Sequence, residues 1–174
     1  MVKTILSLLF AAGLGTSAPL KHKMNMTPIL SDDLVKVMEE SYANVYGEKG
    51  DLGVIAGAWA HVSLENKRGE RVWNNNLGNI GKLPQDPPAP YYSHFGKSNF
   101  LSFKTRIQGA EHYWRFMQKR CPLALRYFKL KRPGEAALSL KRCNYYRTSE
   151  RHYVKILTAL YGEGIKRASS KSRR

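Results

Sequence analysis

Between Asn66 and Phe103 the sequence offers nothing that can hold a long helix. Pro84, Pro87, Pro88 and Pro90 remove backbone donors and fix φ, and Asn74-Asn75-Asn76-Leu77-Gly78-Asn79 is a run of turn-forming residues. On either side the apolar spacing is helical. Ser31-Asp32-Asp33 supplies an N-cap for a helix over Leu34–Tyr46 that stops at Gly47, and Asp51 caps a second through Trp59 to about Glu65. Beyond the interruption, helical patterns return at Arg106–Arg120, Leu123–Phe128, Gly134–Arg142 and Ser149–Leu160. Pro122 and Pro133 fit first turns there, and Gly162 fits a stop. The expectation is a mostly α domain with a small irregular or β-hairpin lobe. Trp73, Tyr91, Tyr92, Phe95, Phe100 and Phe103 argue that the lobe is ordered.

One domain of 174 residues is large enough for a real core. Residues 1–18 read as a secretory signal: Lys3 is the positive start, Ile5 to Leu14 the apolar stretch, and Thr16-Ser17-Ala18 a small-residue cleavage site. That apolar stretch is too short to span a membrane comfortably. Residues 19–30 read as a polar linker, 31–163 as the domain, and 164–174 as a basic disordered tail. The chain is expected to be exported, to periplasm or medium, and to work as a monomer.

Net charge is +16, and the charges are unevenly spread. Residues 1–65 carry five Lys/Arg against seven Asp/Glu, whereas 66–174 carry twenty-four against six. An exported protein with this field should be drawn to anionic polymers such as teichoic acid, lipopolysaccharide or nucleic acid. Nucleic acid ranks last, because the aromatics cluster beside the Asn turn instead of alternating with Lys and Arg. Cys121 and Cys143 are the two cysteines. In an exported chain the even count favours a disulfide, closing a loop of about twenty residues and contributing about 3 kcal/mol; the alternative is two buried thiols. The histidines at 22, 61, 94, 112 and 152 are scattered and no Cys/His group has ligand spacing, so neither a metal nor a cofactor is expected.

Glu65 ends the apolar run Ala58-Trp59-Ala60-His61-Val62-Ser63-Leu64, nine residues before the asparagine cluster. Cutting a glycosidic bond needs a carboxylic acid that keeps its proton near neutral pH, and apolar surroundings raise a carboxyl's proton affinity. A Glu at a helix end is also a common capping or solvated residue. Trp73, Tyr91 and Tyr92 are candidate sugar-stacking platforms, though apolar packing is the commoner job for any one such ring. The asparagines could equally be structural, since Asn suits turns and left-handed backbone.

The order of these pieces is informative. Residues 58–69 followed by Trp73-Asn74-Asn75-Asn76-Leu77-Gly78-Asn79-Ile80, then Asn99-Phe100-Leu101-Ser102-Phe103 with Gly109, Tyr113-Trp114, and Tyr145-Tyr146-Arg147-Thr148 with Tyr153, keep one sequence of landmarks over roughly 50–161. This pattern resembles the glucosaminidase-type peptidoglycan hydrolases of the lysozyme superfamily (the mannosyl-glycoprotein endo-beta-N-acetylglucosaminidase-like domain). The resemblance implies a lysozyme-like helical fold and hydrolysis of the β-1,4 glycan of peptidoglycan. It makes Glu65 the general acid, has Asn75, Asn76 and Asn79 shape the turn beneath the cleft, and sets Tyr146 opposite Glu65. Between Glu65 and Gly109 the only other acids are Glu70, close in sequence, and Asp86, among prolines. If neither serves as base or stabiliser, either the substrate's 2-acetamido group or its 6-hydroxyl attacks, the latter giving an anhydro product.

Overall fold

The computed structural model describes residues 20–82, 89–94 and 98–171. The expected signal, Asp86, Phe95, Pro84, Pro87, Pro88 and the last three residues lie outside that set. In chain order the elements are β1 (Lys21–His22), α1 (Ser31–Tyr46), α2 (Leu52–Glu65), β2 (Tyr91–His94), β3 (Ser98–Leu101), α3 (Arg106–Arg120), α4 (Pro122–Lys129), α5 (Pro133–Arg142) and α6 (Glu150–Lys171). The molecule is mostly α with one small three-stranded sheet.

α2 is the axis of the helical body. From Gly53 to Ser63 every residue is buried, so the helix is apolar all round and needs neighbours on every side. α6 packs along it most extensively, with α1 and α4 also against it. Small residues permit this close approach. A Cβ on Gly57 would meet the Phe128 ring of α4 at 2.2 Å, and one on Gly164 of α6 would meet the Ala56 carbonyl oxygen at 2.7 Å. Trp59, Trp114, Tyr113 and Phe128 are fully buried, and the polar ends of the indoles are satisfied. Trp59 Nε1 donates to the Ser31 carbonyl at 3.0 Å and Trp114 Nε1 to the Ser41 hydroxyl at 2.9 Å.

The helix ends follow local chemistry. Asp51 accepts from Gly53 N–H at 2.8 Å, and Thr105 accepts from Gln108 N–H at 3.2 Å, both as N-caps. Gly47 closes α1 in the left-handed region at φ 72°. The cap of α1 falls at Leu30, one residue before the expected Ser31, whose hydroxyl instead donates to the Arg68 carbonyl. Cys121 and Cys143 are joined by a disulfide, tying the start of α4 to the end of α5.

Two boundaries differ from expectation. Gly162 does not stop α6, which runs on to Lys171. Gly164 packs on Ala56 and Trp59, Ala168 is buried, and Arg167 bridges Glu163 and Asp32, so tertiary contacts hold what local propensity would release. Residues 20–30 are not a free linker either. β1 pairs in parallel with β2 (Lys21 with Tyr91), Thr27 N–H donates to the Val72 carbonyl at 2.8 Å, and Ile29 N–H to that of Gly69 at 3.0 Å. β2 and β3 form the expected hairpin, antiparallel with Tyr91 opposite Leu101 and His94 opposite Ser98.

Candidate active site

Glu65 is the last residue of α2, where helix geometry leaves carbonyl groups without intrahelical partners. The asparagine turn supplies one of those partners and is bonded in return by the residue after the helix. Asn79 Nδ2 donates to the Glu65 carbonyl at 2.9 Å, and the Asn66 carboxamide donates to the Leu77 carbonyl. Asn74, Asn75 and Asn79 have φ of 47°, 57° and 47°, the left-handed region that Asn tolerates better than other side-chain-bearing residues. Asn76 is fully buried and closes the turn: its Oδ1 accepts from Ile80 N–H at 2.9 Å, and its Nδ2 donates to the carbonyls of Ile80 and Leu101. Asn74 anchors the N-terminal segment, accepting from Asn25 N–H at 2.7 Å and donating to the Lys23 carbonyl at 3.0 Å. The turn is therefore tied to the backbone at the end of α2, next to the residue whose side chain matters.

The Glu65 carboxyl is surrounded by phenols. Tyr153 of α6 donates its hydroxyl to Glu65 Oε1 at 2.9 Å. Burial pushes the carboxyl's pKa above the ordinary 4.5, and the Tyr153 hydrogen bond opposes part of that rise. Tyr145 and Tyr113 are pushed well above 10, by burial first and then by the nearby Glu65 charge, and Tyr153 is raised in the same way. The shifts favour the neutral phenols, which leaves the Tyr145 and Tyr153 hydroxyls as hydrogen-bond donors. Tyr145 donates to the Gly78 carbonyl at 2.5 Å, locking the glycine turn to the segment before α6. Behind it, His61 Nδ1 meets the Tyr113 hydroxyl at 2.9 Å; burial drives the His61 pKa down to about 3, so the ring is neutral.

Two depressions open on either side of Glu65. One, of about 470 Å³, is lined by Leu64, Tyr145, Tyr146, Arg147, Thr148, His152, Tyr153 and Ile156. The other, about 690 Å³, lies against the sheet lobe and is lined by Met26, Arg71, Trp73, Asn79, Tyr92 and Phe100. Glu65 belongs to both, and among the described residues it is the only acid in either lining.

The expected site residues divide accordingly. Glu65, Tyr146, Trp73 and Asn79 come together around the cleft. Asn75 and Asn76 do not reach it, because Asn75 Nδ2 is held by the carbonyls of Phe103 and Lys104, and Asn76 is consumed inside its own turn. Tyr91 also stays out of both linings, since neighbouring strand residues point to opposite faces and it is Tyr92 that turns inward. Tyr146 is in the cleft wall, but its hydroxyl donates to the Ala137 carbonyl at 3.2 Å instead of facing the acid. Its ring lies flat on Tyr153, with centroids 3.6 Å apart and planes 5° from parallel, so Tyr146 supports the phenol that does touch Glu65. Met26, Arg71 and Phe100 were not legible as site residues. Tyr153 was visible only as a tyrosine seven positions beyond Tyr146. Glu70 is exposed on the turn after α2, outside both linings.

No family model, curated protein or solved structure matches the chain. Among the described residues there is no cluster of His, Cys, Asp or Glu able to hold a metal, and no helix long and apolar enough to cross a membrane. The arrangement sets one carboxyl, its pKa raised by burial, among aromatic rings at the boundary of two depressions.

Proposed function

We propose that this chain is an exported, lysozyme-like glycosidase that cleaves β-1,4 bonds between amino sugars in peptidoglycan, with Glu65 as general acid. The observation carrying the reading is the state of Glu65: a carboxyl at a helix end, biased toward its protonated form by burial, between two open depressions. Protonating a glycosidic oxygen needs such an acid, and general acids contribute roughly 10²- to 10⁴-fold in rate. Trp73, Phe100 and Tyr92 on one side and Tyr146 and Tyr153 on the other give amino sugars apolar faces to lie on. The net charge of +16 concentrates the enzyme on an anionic wall.

The lack of a second acid in either lining, among the described residues, favours help from the substrate over a two-carboxylate plan. Its 2-acetamido oxygen or its 6-hydroxyl is then the nucleophile, giving a reducing end or, as in a lytic transglycosylase, an anhydro end. Incubating purified peptidoglycan with the wild-type chain and Glu65→Gln, and weighing the released fragments, tests both points. Loss of at least about 100-fold in fragment release with Glu65→Gln supports the acid role. Undiminished release would place the acid elsewhere, and no release by the wild-type chain would leave only a glycan-binding role. A deficit of one water in the fragments selects the 6-hydroxyl route.

A further inference from the structure

A third depression, about 420 Å³, adjoins the Glu65 cleft and is lined by Lys141, Asn144, Tyr146 and Arg147. Tyr146 and Arg147 belong to both, so a ligand extending from Glu65 past the Tyr153–Tyr146 stack enters it directly. Its cations are positioned differently. Lys141 Nζ donates to the Thr148 carbonyl at 3.3 Å and sits 5.1 Å from the Tyr146 ring centroid, which fixes its ammonium beside the stack. Arg147 is exposed and makes no ion pair or side-chain hydrogen bond among the described residues, so its planar donor fork is free. Asn144 holds left-handed backbone at φ 58°, directly after the disulfide-bonded Cys143, so the turn carrying these groups is pinned to the start of α4. His152 adds a further basic side chain on the cleft side. The acid nearby is Glu150 in the first turn of α6, exposed and outside both linings, though its charge reaches the Tyr146 phenol. A neutral glycan would leave the two positive charges of this lining without a counter-charge.

We propose that Lys141, Asn144 and Arg147 form a subsite for an oxyanion, a carboxylate or a phosphate carried by the glycan, in the depression that adjoins the Glu65 cleft. The proposal rests on the glycosidase reading and narrows its substrate to glycans bearing acidic substituents. An ammonium and a guanidinium are suited to this pairing, the latter binding two oxygens at once.

The test compares kcat/KM for a neutral chito-oligosaccharide and for peptidoglycan fragments at fixed ionic strength, using the full chain and its Arg147→Glu and Arg147→Lys variants. The ratio of the two values is the readout. Arg147→Glu is expected to lower the ratio about tenfold, chiefly through KM on the acidic substrate, and Arg147→Lys to recover most of it. A ratio that stays within about twofold in Arg147→Glu overturns the subsite while leaving cleavage by Glu65 intact. If the wild-type chain cleaves neither substrate, the glycosidase reading fails and the subsite falls with it. Repeating the measurement on walls stripped of phosphodiester polymer by mild hydrofluoric acid separates the sources. Persistence of the Arg147 effect assigns a carboxylate, and its disappearance assigns a phosphate.

Discussion

In the helical body, Trp59, Trp114 and Phe128 are sealed from water in a shared apolar core, whereas in the sheet lobe the carboxamides of Asn74, Asn75, Asn76 and Asn79 do the joining. The first arrangement is non-directional and scales with buried apolar area. The second is directional, and each amide satisfies particular backbone groups. Glu65 sits where the two meet: phenols of the helical body surround the carboxyl, and the asparagine turn holds the backbone that carries it. The difference teaches that damage to the body should appear as lost stability, and damage to the turn as lost activity first.

The largest expected effect comes from breaking the body. Trp114→Ala removes a fully buried indole and the bonds to Ser41 and Met38, and should cost about 3–5 kcal/mol in denaturant unfolding. A cost under about 1 kcal/mol would mean that the α1–α3 contact is not part of the core.

Acid sharpens the comparison, because two titrating residues of α2 respond with opposite sign. His61 has a folded-state pKa depressed to about 3 from 6.5. Its contribution is complete above 6.5 and is lost as pH falls toward 3, about 3 kcal/mol being gone by pH 4. Glu65 has a raised folded-state pKa, so its favourable contribution is present below 4.5 and lost as pH rises through that raised value. Thermal melts between pH 4 and 7 should therefore show a steep acid loss that His61→Gln flattens. Glu65→Gln should be more stable than wild type at pH 7 and equal to it at pH 4. The reverse order at pH 7 would contradict a destabilised, buried carboxylate.

The turn is the smaller term in stability. Asn76→Ala removes the acceptor of Ile80 N–H and a donor to each of the Ile80 and Leu101 carbonyls, and should cost about 2 kcal/mol. Its cleavage rate should fall more than that loss of folded protein explains. Equal losses in rate and folded fraction would deny the turn a part in placing the backbone of Glu65.

Much of the helical body was legible in the sequence. The limits of α3, the cap at Asp51 and the Gly47 stop are set by local spacing and local hydrogen bonds, which a linear pattern records. Gly162 misled because α6 is continued by Gly164 and Arg167 touching residues far away in sequence. Residues 20–30 looked like a linker because parallel pairing with β2 uses backbone groups and leaves no side-chain period. Within the site, Glu65 and the asparagine turn were legible as a motif. The exchange of roles between Tyr146 and Tyr153 was not, because which of two tyrosines touches the acid depends on how the start of α6 rotates against the end of α2.

The account turns on a proton held by Glu65, and its carboxyl titration by carbon-13 NMR of the full chain measures that directly. The midpoint is predicted to lie above 4.5, and to rise further in Tyr153→Phe, where the opposing hydrogen bond is gone. A midpoint at or below 4.5 in the wild-type chain would show a carboxyl that gives up its proton as readily as one in water, and would contradict the general-acid role.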